Sequence, residues 1–238
     1  MQAMLGAIVM LALMGWLYTK LIGLKPTAEF IGAGLVIAWC LEDFGVHTGL
    51  IFGPYYFTHL MGPKIDVIPV AIPCMWVFSM MMIWVMVNLF LDRTPLPTNH
   101  SNFRIIFGAI IEALLLTTFD LNGDPVSVHN HMWVWPTGGP YFGVPLHNYV
   151  GWFTVALITF LVHGYLFRHD NQKAIIELDT RFKQRLSILP IILYGVMNLP
   201  YIFVDFKGIL GLLTIYFAGI PFLVALWIWG KWYFTQQH

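Results

Sequence analysis

The stretch WCLEDFGVHTGLIFGPYYFT, residues 39–58, closes the apolar run AEFIGAGLVIAWCL and sets two adjacent acids, Glu42 and Asp43, against hydrocarbon. Glycines, a proline and the aromatic residues Tyr55, Tyr56 and Phe57 follow directly. An ionised carboxylate at the centre of a bilayer costs at least ~2.5–3.5 kcal/mol. A chain that places acids there and then turns sharply is building an interior polar site, not a lipid-facing helix end.

The rest of the sequence fits a membrane setting. Of 238 residues 58% are hydrophobic and 10% charged, with a mean hydropathy of +0.73, values of integral membrane proteins rather than soluble domains. The expectation is an all-α, polytopic bundle forming one integral membrane domain over 1–238, multi-pass in the cell membrane and surrounded by its lipids. Net charge is zero, which gives no ground for a nucleic-acid partner. Cys40 and Cys74 lack metal-ligand spacing and read as small core residues. The first apolar run has no basic leader or small-residue cleavage site and reads as a first helix rather than a cleaved signal.

Apolar runs at 2–23, 28–43, 66–91, 103–119, 146–167, 187–205 and 209–230 predict seven transmembrane helices. The second and fourth are short for a bilayer, so their ends are expected to meet a polar cavity within the protein. Alternating sides along the chain, Lys20, Lys25, Arg93, Arg104, Arg168, Lys173, Arg181, Lys183, Arg185 and Lys231 collect on one side, against Lys64 and Lys207 on the other. The asymmetry predicts an N-terminus outside and a C-terminus in the cytoplasm. Asp120 to Pro145 then reads as an external loop, and RHDNQKAIIELDTRFKQR, residues 168–185, as a cytoplasmic surface helix.

On this topology Glu42, Asp43, Glu112, Asp120, Asp124 and Asp205 lie within the membrane or at its external edge. Glu112 stands about nine residues into the fourth helix, roughly 14 Å deep. Asp120 follows eight residues later, about 80° around the axis, so the two are expected to line one interior wall. The second helix brings Glu42 and Asp43 toward the same layer; adjacent side chains diverge by about 100°, and Glu42 is the one favoured to face it. Burial and like-charged neighbours favour the neutral carboxylic acid, which can donate a proton.

Around these acids the sequence sets aromatic rings, among them Tyr55, Tyr56, Trp133, Trp135, Tyr141 and Trp152, in two Gly- and Pro-rich external loops. Such loops read as a folded lid. A protonated acid among ring faces in an apolar pocket is what protonation of an alkene requires, because the rings stabilise a carbocation. The histidines allow a competing metal reading, with His129 and His131 of HNH near Glu42 or Asp124. The helices lack the paired-histidine motifs of membrane di-iron enzymes, so no metal and no cofactor are expected. A proton-coupled transporter is a rival of another class. Against it, no pair of discontinuous helices in matching halves is visible.

The segments EDFGVHTGLIFGPYYFTHLMGPKIDVIPVAIPCMWVFSM (42–80), TTFDLNGDPV (117–126) and WVWPTGGPYFGVPLHNYVGW (133–152) together resemble the CruF-type carotenoid biosynthesis family, which includes integral-membrane carotenoid hydratases such as the bisanhydrobacterioruberin and γ-carotene 1',2'-hydratases. The resemblance implies cofactor-independent addition of water to the terminal trisubstituted double bond of a lipophilic isoprenoid or carotenoid. Asp120 or Glu42 would be the acid, Asp124 or Glu112 would handle water, and Asp43, His129, His131 and Asn148 would orient them. Capture of the cation by a second double bond would instead make the same site a proton-initiated cyclase.

Overall fold

The computed structural model describes residues 2–171, 178, 180–203 and 208–236. Its axis is α3 (Ala71–Asp92), AIPCMWVFSMMMIWVMVNLFLD, which is apolar on every face. That pattern belongs to a helix enclosed by other helices, and 83% of its spanning window is buried. Around it pack α1 (Gln2–Leu21), α2 (Leu24–Thr48), α4 (Asn102–His129), α7 (Leu189–Asn198) and α9 (Ile220–Thr235), while α5 (Leu146–Asn171) closes the bundle against α2 and α4. Among the described residues seven spans are long and apolar enough to cross a bilayer, as expected. The sixth is built from α6 (Arg181–Leu186), α7 and a 3-10 turn (Leu199–Phe203); the seventh runs through α8 (Ile209–Thr214), a π-helical turn (Ile215–Gly219) and α9.

Two helices are longer than their hydropathy indicates. α2 continues past Glu42 and Asp43 to Thr48, where Gly49, at φ 69°, ends it in the left-handed conformation. α4 runs through Asp120, Asp124 and His129, so the first part of the expected 120–145 loop is helical. The apolar run stops at residue 119, but the polar side chains that follow on the inner face are buried and bonded, and the backbone has no reason to leave the helix. Pro125 inside α4 removes one amide donor and frees the carbonyl of Leu121. Tyr141 fills that vacancy, donating its hydroxyl to Leu121 O at 3.1 Å.

The loops after α2 and α4 join into one lid. Strand β1 (Tyr56–Phe57) pairs antiparallel with a second strand (Trp133–Val134), with Tyr56 opposite Val134 and Phe57 opposite Trp133. Trp135 Nε1 donates to Phe52 O at 2.9 Å, and Thr58 Oγ1 donates to His131 O at 2.7 Å. At the opposite end of the bundle Ser101 caps α4, and Arg104 makes a forked contact to Asp92 (Nη2 to Oδ2, 2.7 Å) and donates to Asn88 Oδ1 at 2.9 Å. Of the expected 168–185 surface helix, residues 168–171 are the end of α5, 181–185 lie in α6, and 172–177 and 179 lie outside the described residues, as do Asp205 and Lys207.

The lid sits directly on α5 at Gly151, where a Cβ would meet Ile51 O at 2.4 Å and Phe52 Cδ1 at 2.6 Å. The Gly151→Ala variant is therefore expected to lose about 1–3 kcal/mol of stability through overpacking. Thermal unfolding in detergent measures it, and an unchanged transition would contradict this seating of the lid.

Candidate active site

Beneath the lid three buried carboxyl groups converge from two helices. Glu42 comes from α2; Asp120 and Asp124, one turn apart, come from α4. Both oxygens of Glu42 accept hydrogen bonds, Oε1 from Trp76 Nε1 at 2.7 Å and Oε2 from the Tyr55 hydroxyl. Burial and the neighbouring Glu42 push the Tyr55 phenol well above the ordinary tyrosine range, so it remains a donor. Asp124 Oδ1 accepts from Trp133 Nε1 at 3.1 Å and Oδ2 from Asn148 Nδ2 at 2.5 Å; the same amide reaches Asp120 Oδ2 at 3.3 Å. The Asp120 and Asp124 carboxyl groups share this amide and lie within hydrogen-bonding reach of each other. Two ionised carboxylates offer only acceptors, so this contact requires one proton between them.

These groups line a cavity that, with the open space at its mouth, encloses about 800 Å³. Its walls are rings. Tyr55 stacks on Trp135 at 5.3 Å between centroids, Trp76 on Trp152 at 3.9 Å, and Phe57 meets Trp133 edge-on at 6.0 Å. Of the lining residues Met75 is the most exposed, at 40%. Half-buried Phe119, Gly123 and Ser127 on α4, with Met197 and Tyr201 of the sixth span, complete the open side. The mouth thus opens between α3, α4 and the 3-10 turn.

Of the residues singled out in the sequence, Glu42, Asp120, Asp124, Tyr55, Phe57, Trp133, Trp135, Asn148 and Trp152 all line this cavity. The others do not. Glu112 is buried but faces a second, smaller space of about 360 Å³ near the opposite end, with Arg104, Asn88 and His100. Eight helical residues lift Asp120 about 12 Å above it, so the expected shared wall is two separate cavities. Asp43 points to the surface beside His47 and Asp66, with His47 Nε2 and Asp66 Oδ2 2.6 Å apart. His47 holds the Asp66 carboxyl below its usual range. Tyr56, His129 and His131 are exposed and outside the cavity lining; Tyr141 supports the lid from behind, through Leu121.

The sequence reading missed Trp76, Ser79 and Tyr201, which stand in apolar runs that look like core or lipid contact. For Trp76 a signal exists: a buried indole N–H needs an acceptor, and α3 itself offers no carboxylate before Asp92. The polar triad Asn122, Asn198 and Thr214 was likewise unmarked. It ties α4 to the broken sixth and seventh spans, with Asn122 Nδ2 to Asn198 Oδ1 at 3.4 Å and Thr214 Oγ1 to Asn122 Oδ1 at 3.2 Å.

No curated protein and no solved structure matches the chain. The profile of one family does, over residues 1–218: that of the carotenoid biosynthesis proteins. Those residues include the lid, the three carboxyl groups and the ring-lined cavity. The chain is a multi-pass membrane protein of the carotenoid biosynthesis family, with an enzymatic role in making carotenoids.

Proposed function

We propose that the protein is a cofactor-independent hydratase, in the lyase class, that adds water to the terminal trisubstituted double bond of an acyclic-ended carotenoid or related isoprenoid. The observation that carries this reading is the Asp120–Asp124 pair, joined by the Asn148 amide, on an apolar, ring-walled cavity. Asp124 accepts from Trp133, Asn148 and Asp120, three donors that favour its anion. Asp120 therefore holds the shared proton and is the acid.

The chemistry balances within the pair. Asp120 transfers its proton to the less substituted alkene carbon, the π bond breaks, and a tertiary cation forms between the ring faces. A water oxygen bonds to the cation while Asp124 takes a proton from that water. The proton returns across the carboxyl–carboxyl hydrogen bond to Asp120 and resets the site. Glu42, its two oxygens fixed by Trp76 and Tyr55, presents a preorganised carboxyl dipole beside the cation.

The mouth beside Met75 supports lateral access from the membrane, with the remainder of a long chain left among lipid tails. With the lysines and arginines concentrated away from the lid, this reading sets the lid on the outer face of the cell membrane.

In a host that accumulates lycopene, mass spectrometry should find products heavier by one water. Asp120→Asn is expected to lower their yield by about 10²–10⁴-fold, and Glu42→Gln to lower it as well, with protein level unchanged. An isomer of unchanged mass would replace hydration by cyclisation; no product from any acyclic-ended polyene would refute the reading. Met75→Trp should reduce kcat/KM for the long polyene about tenfold while sparing a short branched alkene with the same end group. Equal losses on both substrates would contradict lateral access at this point.

A further inference from the structure

Away from the lid, at the basic end of the bundle, α9 and the end of α3 enclose a further space of about 690 Å³, its open mouth included. Arg93, Trp227, Ile228, Lys231, Trp232 and Thr235 line it. Two of these are cations and two are indoles, and no carboxylate among the described residues joins them. Five of the six belong to α9, beyond residue 218, where the family profile ends.

Both cations have donors to offer a ligand. Arg93 stands one residue past α3, in the left-handed conformation at φ 61°. The carboxylate next to it, Asp92, accepts from Arg104 through both oxygens, and the Arg93 guanidinium makes no hydrogen bond or ion pair among the described residues. Lys231 Nζ lies 3.9 Å over the Trp227 ring. That contact positions the ammonium and leaves N–H donors for another partner.

The surface beside the cavity favours a lipid over a free anion. Stepping back along α9 from Lys231 by three and four residues, one outward stripe carries Trp227, then Leu223 and Val224, then Ile220, all exposed. Charge and indoles at one level with an apolar stripe leading away from them match a phospholipid, headgroup first and tails along the helix. On the charge asymmetry of the loops this end faces the cytoplasm, where anionic lipids concentrate.

We propose that Arg93 and Lys231 bind the phosphate of one anionic phospholipid of the surrounding bilayer, with an acyl chain lying along the Trp227–Ile220 stripe of α9. The guanidinium presents paired N–H donors to two phosphate oxygens, and the ammonium reaches the same phosphate. The bound lipid ties the last turns of α9 to the end of α3. This site is independent of the chemistry at the lid end.

The whole chain, reconstituted in equal parts phosphatidylcholine and phosphatidylglycerol and released into mild detergent, tests the site by native mass spectrometry of retained lipid. Wild type should keep a single phosphatidylglycerol. Arg93→Gln/Lys231→Gln should lower its occupancy about tenfold or more. Lys20→Gln/Arg181→Gln, which removes two exposed cations of the same side from outside the cavity, should leave it unchanged. Equal losses in the two double variants would reduce the effect to diffuse attraction by a basic surface and overturn the proposal, as would undiminished retention by Arg93→Gln/Lys231→Gln. Phosphatidylcholine kept as well as phosphatidylglycerol would also overturn it. Inorganic phosphate that displaces the lipid and protects against thermal unfolding equally would make this a site for the free anion instead. Should the double variant fail to fold, Arg93→Gln and Lys231→Gln singly decide the matter, each expected to lower occupancy several-fold, with full retention by both contradicting the proposal.

Discussion

A carboxylate buried in a membrane bundle must be given donors, and the lid half of this protein is organised around giving them to Asp124. Trp133 reaches it from the second lid strand, Asn148 from the first turn of α5, and Asp120 from one turn back on its own helix. Each partner fixes a different piece of chain. The indole holds the strand pair over the cavity, the amide sets the start of α5, and the carboxyl contact keeps α4 helical beyond its apolar run. Removing one partner of such a buried group is costly because the charge is left behind without compensation. The same need explains Glu42, whose donors come from α3 and from the lid.

The two ends of α4 carry different chemistry. At the Arg104 end a guanidinium, Asp92 and Asn88 close the bundle in a conventional ion-pair network, and Glu112 sits beside the small polar cavity above it. At the Asp124 end no lysine or arginine among the described residues lines the cavity. An apolar chamber that holds three carboxyl groups, polarised indoles and phenols suits a positive charge that exists only during turnover. The rings that wall it serve both purposes, since they solvate an alkene as hydrocarbon and a cation through their faces.

Much of this was legible in the sequence, and the failures have definite causes. The seven spans and the pairing of two aromatic loops into a lid follow from hydropathy and from turn residues. Helix ends were misjudged because a hydropathy window stops where side chains become polar, whereas α4 continues as long as Asp120, Asn122 and Asp124 find partners inside the bundle. Helical angle alone sets Glu112 and Asp120 on one wall; the axial rise between them puts them at different depths. His129 and His131 could be near the acids in sequence and still face outward, since α4 carries His129 past the cavity before the chain turns at Asn130. The breaks at Leu199–Phe203 and Ile215–Gly219 follow directly on the buried polar residues Asn198 and Thr214, and Pro200 lies in the first, marks that a hydropathy window averages away.

The central claim is that a proton from Asp120 and a water molecule are added across one double bond. Purified protein in liposomes, given an acyclic-ended polyene in water enriched in heavy oxygen and kept free of dioxygen, tests it most directly. The account predicts a tertiary alcohol whose new oxygen carries the label, formed without any added reductant or metal. An unlabelled oxygen in the product, or a product with no added oxygen at all, would contradict it.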